Sequence, residues 1–389
     1  MRKRSITIAI YIDALGWRLA SEHGFLRNEL PSRGPLAATF GGTGSCVPTI
    51  LTGAPPREHG HFAPFIYDPV HSPFRRLGWL RFVPAFLAAN GRFRRWLSRR
   101  LRSQLGMSAD LELDNTPFPL LPLMDITGGH NLTQPGSING GQTTLFDDLR
   151  QAGIPFQVFD STSDGDNLDA AQQAITDGNL EFTYIALTGL HHCLHTRGTR
   201  SSAVAGMLAS YEDRIKDLLC VARECYGEVK LALFSGDGMA DITGECDLMA
   251  QIQALPLQPG KDYFAIYDAT MARFWFFNSR AERLISEALF GSLDGQWLSD
   301  HTLRQWGCDF PGRRYGQRIF LLRPGVLMNP SFMDRGKRAA MHGYDPWHKD
   351  SVAFFACSDA GMGRPAGLAN LRDLLGASAG VFHLARRSA

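Results

Sequence analysis

The chain has 389 residues, 44% of them hydrophobic and 20% charged, and its 40 Lys and Arg nearly balance its 38 Asp and Glu. This composition excludes a disordered or fibrous chain, and a net charge of +2 supplies no whole-molecule field, so nucleic acid is not an expected partner. Seven scattered cysteines, odd in number and without a C-x-x-C pair, fit a reducing, cytoplasmic setting better than a disulfide framework.

In chain order, the basic start Met1–Arg4 is followed by a short apolar run that Asp13 ends. The run is far shorter than the roughly 20 residues that span a bilayer, and no small-residue cleavage motif follows it, so it reads as a buried first strand rather than a leader. Ile6, Ile8, Ile10 and Ile12 alternate with Thr7, Ala9 and Tyr11, the pattern of a strand covered on both faces. Further core strands are expected at 156–159, 182–187, 229–234, 319–322 and 352–356, with helices at 144–151, 168–175 and 203–225. Alternation of strand and helix predicts an α/β three-layer sandwich with a central, mostly parallel sheet, as one domain over 1–389.

Two stretches break the rhythm and read as insertions, 64–139 and 240–324. The first interleaves nine arginines between Arg75 and Arg102 with Trp79, Phe82, Phe86, Phe93 and Trp96. It reads as a cap helix whose arginines are solvated, the alternative being contact with anionic lipid at a membrane surface, with nucleic acid or with a phosphorylated substrate. In the second, Arg273 sits inside an aromatic run, either stacked on a ring at the surface or touching an anionic substrate.

Polar clusters collect where strands end, the place where open α/β sheets bind ligands. Asp13 leaves the first strand. Gly41-Gly42-Thr43-Gly44-Ser45-Cys46 offers glycines that let the backbone approach a ligand, and a helix start whose free N–H groups suit an anion; the alternative is an ordinary turn. Cys46 reads as buried filler before a reactive thiol. His191 and His195 follow a strand at a spacing of four, which turns both imidazoles to one side of a helix and lets them share a metal. Asp237 and His342 add a carboxylate and an imidazole from later in the chain.

Together, in this order, these clusters resemble the alkaline phosphatase superfamily, in particular its nucleotide pyrophosphatase/phosphodiesterase branch, from Asp13 to Tyr344. Asp13, Thr43 placed ten residues before Gly53, and His59-Gly60 match the pattern, followed by His191-x-x-x-His195, Ser235-Gly236-Asp237-Gly238-Met239 and His342-Gly343. The resemblance implies an alkaline phosphatase-like fold and a metal-dependent hydrolase of a phosphorylated small molecule, with Thr43 as nucleophile and Ser45 as the fallback hydroxyl. It also implies two zinc ions, and here the ligands depart from the pattern. His191 replaces an Asp, giving a His191, His195 and His342 site suited to one Zn²⁺. The second site keeps Asp13, Thr43 and Asp237, an oxygen set better matched to Mg²⁺ or Mn²⁺, with Gly236 in the place of a ligand. Restoring the pattern by Gly236→Asp with Asp237→His is expected to raise bound zinc. A non-hydrolytic transferase or lyase on the same scaffold, or a protein that only binds, are the alternatives.

Overall fold

The computed structural model describes residues 3–83, 90–105, 115–127, 136, 138, 141–333 and 336–381. Phe86, at 84–89, and the expected boundary at Asn139 lie outside the described residues.

Lys3–Ile12 lies inside a six-stranded sheet in the order Ser32–Leu36, Ala353–Cys357, Tyr226–Phe234, Lys3–Ile12, Phe182–Leu187, Phe156–Phe159. The last four of these pair in parallel, and Ala353–Cys357 runs antiparallel to both of its neighbours. Period-two alternation assigns the faces. Ile6, Ile8, Ile10 and Ile12 are buried against helices Asp164–Asp177, Gly189–Arg197 and Ser202–Cys225, while Ala9 and Tyr11 pack on the other face against Thr43–Thr52, Leu145–Gln151 and Leu371–Ser378. Each fully buried isoleucine contributes about 1.5–3 kcal/mol of transfer free energy, which makes this two-faced strand the axis of the fold.

The helices start and stop where local chemistry directs. Thr144 caps Leu145–Gln151 in a reciprocal capping box with Asp147. In Ser202–Cys225, capped by Ser201, the buried residues Val204, Leu208, Tyr211, Ile215, Leu218 and Leu219 form one stripe at helical spacing.

The run at 319–322 differs from expectation. Arg318–Leu322 belongs to a separate four-stranded sheet, antiparallel throughout, in the order Tyr263–Tyr267, Met271–Phe276, Arg318–Leu322, Gly295–Trp297. A strand buried on both faces reads the same in a parallel or an antiparallel setting. This second sheet packs with helices Leu248–Gln253 and Ser279–Leu289 and with Phe65 and Met124 of the short pair Phe65–Tyr67 and Met124–Ile126.

No helix among the described residues is long and apolar enough to cross a membrane. All seven cysteines are unpaired.

Candidate metal centre

The carboxyl ends of the parallel strands bring the polar clusters together. Asp13 follows Lys3–Ile12, the helix Gly189–Arg197 follows Phe182–Leu187 after one residue, and Ser235 to Asp237 follow Tyr226–Phe234. The His-bearing helix is fixed from two sides. Asp164 accepts hydrogen bonds from the backbone N–H groups of Thr188 (2.8 Å) and Gly189 (2.9 Å), compensating donors that the first helical turn leaves open. At its other end, the Ala339 N–H donates to the His195 carbonyl at 2.8 Å, and Ala340–Met341 pairs with Ala240–Asp241. These contacts bring His342, some 150 positions later, beside the helix.

The three imidazoles converge. His191 Nε2 lies 3.0 Å from His342 Nε2 and 3.1 Å from His195 Nε2. They form the one group of three or more His, Cys, Asp or Glu side chains among the described residues arranged to hold a metal ion, with ligand atoms all within 4.8 Å of one another. Burial, then neighbouring imidazoles, lowers His195 to about 2, and burial, then His191, lowers His342 to about 3, so both are neutral rings with a lone pair to give. His195 Nδ1 lies 2.8 Å from the Ala340 carbonyl, which sets its proton on Nδ1 and leaves Nε2 as the donor atom. A proton on His191 Nε2 satisfies only one of its two close contacts. One ion satisfies all three nitrogens, since ligands about 2.0–2.1 Å from a tetrahedral Zn²⁺ stand roughly 3.3 Å apart. The donor set therefore fits a zinc-type ion.

Next to this group lies the hydroxyl cluster. Thr43, half-buried, opens the helix Thr43–Thr52, and its Oγ1 donates to Asp13 Oδ1 at 3.3 Å. The same Asp13 oxygen accepts the Tyr11 hydroxyl at 2.8 Å. Gly42, at φ 66°, joins the two clusters: a Cβ there would stand 2.5 Å from His342 Nδ1, closer than any real contact allows. Ser45 is fully buried, its Oγ donating to the carbonyls of Phe40 (2.7 Å) and Gly42 (3.1 Å), so it serves the turn. Burial holds the Cys46 thiol far above its ordinary value, the filler reading.

Asp237 is buried, and desolvation reinforced by Asp13 raises its carboxyl pKa. Its Oδ2 stands 3.4 Å from His342 Nδ1. Gly236 faces a filled space: a Cβ would meet Cys46 Cβ at 2.7 Å and the Tyr11 hydroxyl at 3.2 Å. Tyr11 and Cys46 thus occupy the volume that a ligand at position 236 would need. Tyr11 and Asp164 support the site although neither lies in one of its motifs. The signal for Tyr11 is period two, which puts it on the same strand face as Asp13; for Asp164, a cap distant in sequence, there is none.

Arg273 follows neither expected course. It is completely buried, with Nε 2.6 Å from Asp268 Oδ2 and Nη1 donating to the Phe65 carbonyl at 2.8 Å, a structural pair joining the second sheet to the strand at Phe65. In the Arg-aromatic stretch, Arg94 is buried over Phe118, whereas Arg92, Arg95, Trp96, Arg99 and Arg100 line one exposed stripe of Gly91–Leu105.

No family model matches the chain, and no curated protein matches it in sequence. Among solved structures the fold is alkaline phosphatase-like, in keeping with the α/β sandwich and central, mostly parallel sheet expected from the alternation of strand and helix. Murine ectonucleotide pyrophosphatase/phosphodiesterase 5 aligns with a TM-score of 0.68 at 12% identity, over 99% of this chain and 97% of that one. An inactive Thr-to-Ala variant of the same murine protein, in complex with AMP, aligns with a TM-score of 0.68 at 12% identity, over 99% and 98% of the two chains. The human counterpart aligns with a TM-score of 0.69 at 12% identity, over 99% and 97%. At this identity the likeness carries the architecture.

Proposed function

We propose that the protein is a metal-dependent hydrolase of phosphoric esters on small molecules, with Thr43 as nucleophile. The observation that carries this reading is the meeting of a three-imidazole group with a hydroxyl at a helix start, hydrogen-bonded to a buried carboxylate, in an alkaline phosphatase-like fold.

His191, His195 and His342 would hold the metal. When bound, a Zn²⁺-type ion supplies a Lewis acid for a phosphoryl oxygen. The chain's own residues do the rest. Asp13 Oδ1 accepts the Thr43 proton as Oγ1 attacks phosphorus; the Oγ1–P bond forms, the ester P–O bond breaks, and the leaving oxygen departs with its electron pair and takes up that proton from Asp13. Water then cleaves the Oγ1–P bond and restores the Thr43 hydroxyl. At the start of Thr43–Thr52 the N–H groups of Ser45 and Cys46 donate to the Gly42 carbonyl, so those of Thr43 and Gly44 would face developing negative charge, with the positive end of the helix dipole behind them. The Tyr11 hydroxyl fixes Asp13.

Assay of Zn²⁺-loaded protein on aryl phosphate mono- and diesters tests the reading. Turnover that falls at least 10³-fold in Thr43→Ala and persists in folded Ser45→Ala is the expected result. Unchanged turnover in Thr43→Ala, or none in the loaded wild type, contradicts it.

A further inference from the structure

We infer that Asp237 is a positioning carboxylate for His342 and that the centre holds a single metal ion. This deepens the metal reading of the three histidines and does not depend on the hydrolytic one.

Three observations converge. First, the two nitrogens of His342 face different ways: Nε2 lies 3.0 Å from His191 Nε2 in the imidazole group, and Nδ1 faces Asp237 Oδ2 at 3.4 Å. Second, His342 Nδ1 and both Asp237 oxygens are buried without an aligned hydrogen-bond partner. Groups of this kind are costly to bury unless they serve one another or an ion, and here a small rotation about 3.4 Å completes a bond between them. Third, the space beside Asp237 that a second metal's ligand at position 236 would need is filled by Cys46 and Tyr11, and the Tyr11 hydroxyl already engages Asp13.

A metal-ligating imidazole commonly donates its remote N–H to a carboxylate or a backbone carbonyl, which fixes the tautomer and turns the ring. His195 has this arrangement with the Ala340 carbonyl. Asp237 supplies it for His342: Nδ1–H donates to Oδ2, leaving the Nε2 lone pair for the metal. The carboxylate that in the two-metal pattern would belong to a second ion therefore serves the first through the ring.

Titration of metal-free protein with Zn²⁺ against a chelating dye, and the visible spectrum of the Co²⁺-substituted protein, test this. Wild type is expected to take up one ion per chain. Asp237→Ala should weaken that ion by about 10–100-fold and alter the Co²⁺ bands, whereas Asp237→Asn, whose amide oxygen still accepts from Nδ1–H, should keep one ion with near wild-type bands. Asp237→Asn remains decisive if the Ala variant does not fold. Uptake of two ions per chain that falls to one in Asp237→Asn overturns the inference, as does unchanged affinity in Asp237→Ala. A wild type that takes up no Zn²⁺ overturns this inference and the metal reading together. Uptake of one ion with the expected Asp237 responses but without ester turnover overturns the hydrolytic reading alone.

Discussion

At Gly236 the sequence pattern and the packing disagree. The motif pattern asks for a carboxylate there, but Cys46 Cβ would stand 2.7 Å from a Cβ at this position. Cys46 is fixed in the helix Thr43–Thr52 and cannot swing aside. The double change Gly236→Asp with Asp237→His is therefore expected to add no second zinc, contrary to what the motif alone suggests, and to lower stability by about 1–3 kcal/mol through overpacking. Zinc content and chemical denaturation of the variant check this; two ions per chain in a stable variant would show that the space opens. The meeting of His191, His195 and His342 was legible in part: a spacing of four pairs His191 with His195, whereas His342, like Asp13, Thr43 and Asp237, is singled out by the resemblance of the motif order. What fills Gly236 was not, because a contact between residues 46 and 236 leaves no mark in either local sequence.

At the scale of elements, the strand Lys3–Ile12 was legible because β-branched residues alternate through its length. Ser32–Leu36, sequence SRGPL, was not: it is a short edge strand in which Gly34 and Pro35 erase the strand pattern, and Pro is tolerated there because one side of an edge strand needs no ladder donor. Arg273 shows the converse problem. Its partner Asp268 lies just five residues away across the connection between Tyr263–Tyr267 and Met271–Phe276, yet periodicity cannot tell whether a charge in an aromatic strand points to water or to an ion pair. Fully buried as it is, the pair is a specifying contact: removing one partner leaves a bare charge in the core.

Over the whole molecule, buried neutral histidines tie folding to pH. Burial, then His61, lowers His59 to about 3, and its ring contacts Thr49 Oγ1 at 3.0 Å; His195 and His342 are lowered to about 2 and about 3. The unfolded chain takes up protons on these rings near pH 6.5, whereas the folded chain resists until about 3, so the unfolded state binds more protons in between. Stability of the metal-free protein is thus complete above about pH 6.5 and falls as pH drops towards about 3. Denaturant midpoints measured at about pH 7.5 and about pH 5 should show the lower value at pH 5, less so in a folded His59→Gln variant. Equal midpoints in the wild type would mean that these rings are protonated in the fold.

Three imidazoles, one from each of His191, His195 and His342, are proposed to hold one metal beside Thr43. Zinc-edge X-ray absorption of protein loaded with one equivalent of Zn²⁺ measures this directly. Three imidazole nitrogens at about 2.0–2.1 Å in the inner shell, with no metal neighbour, are the expected result. A shell dominated by carboxylate oxygen, or a second metal about 4 Å away, would contradict it.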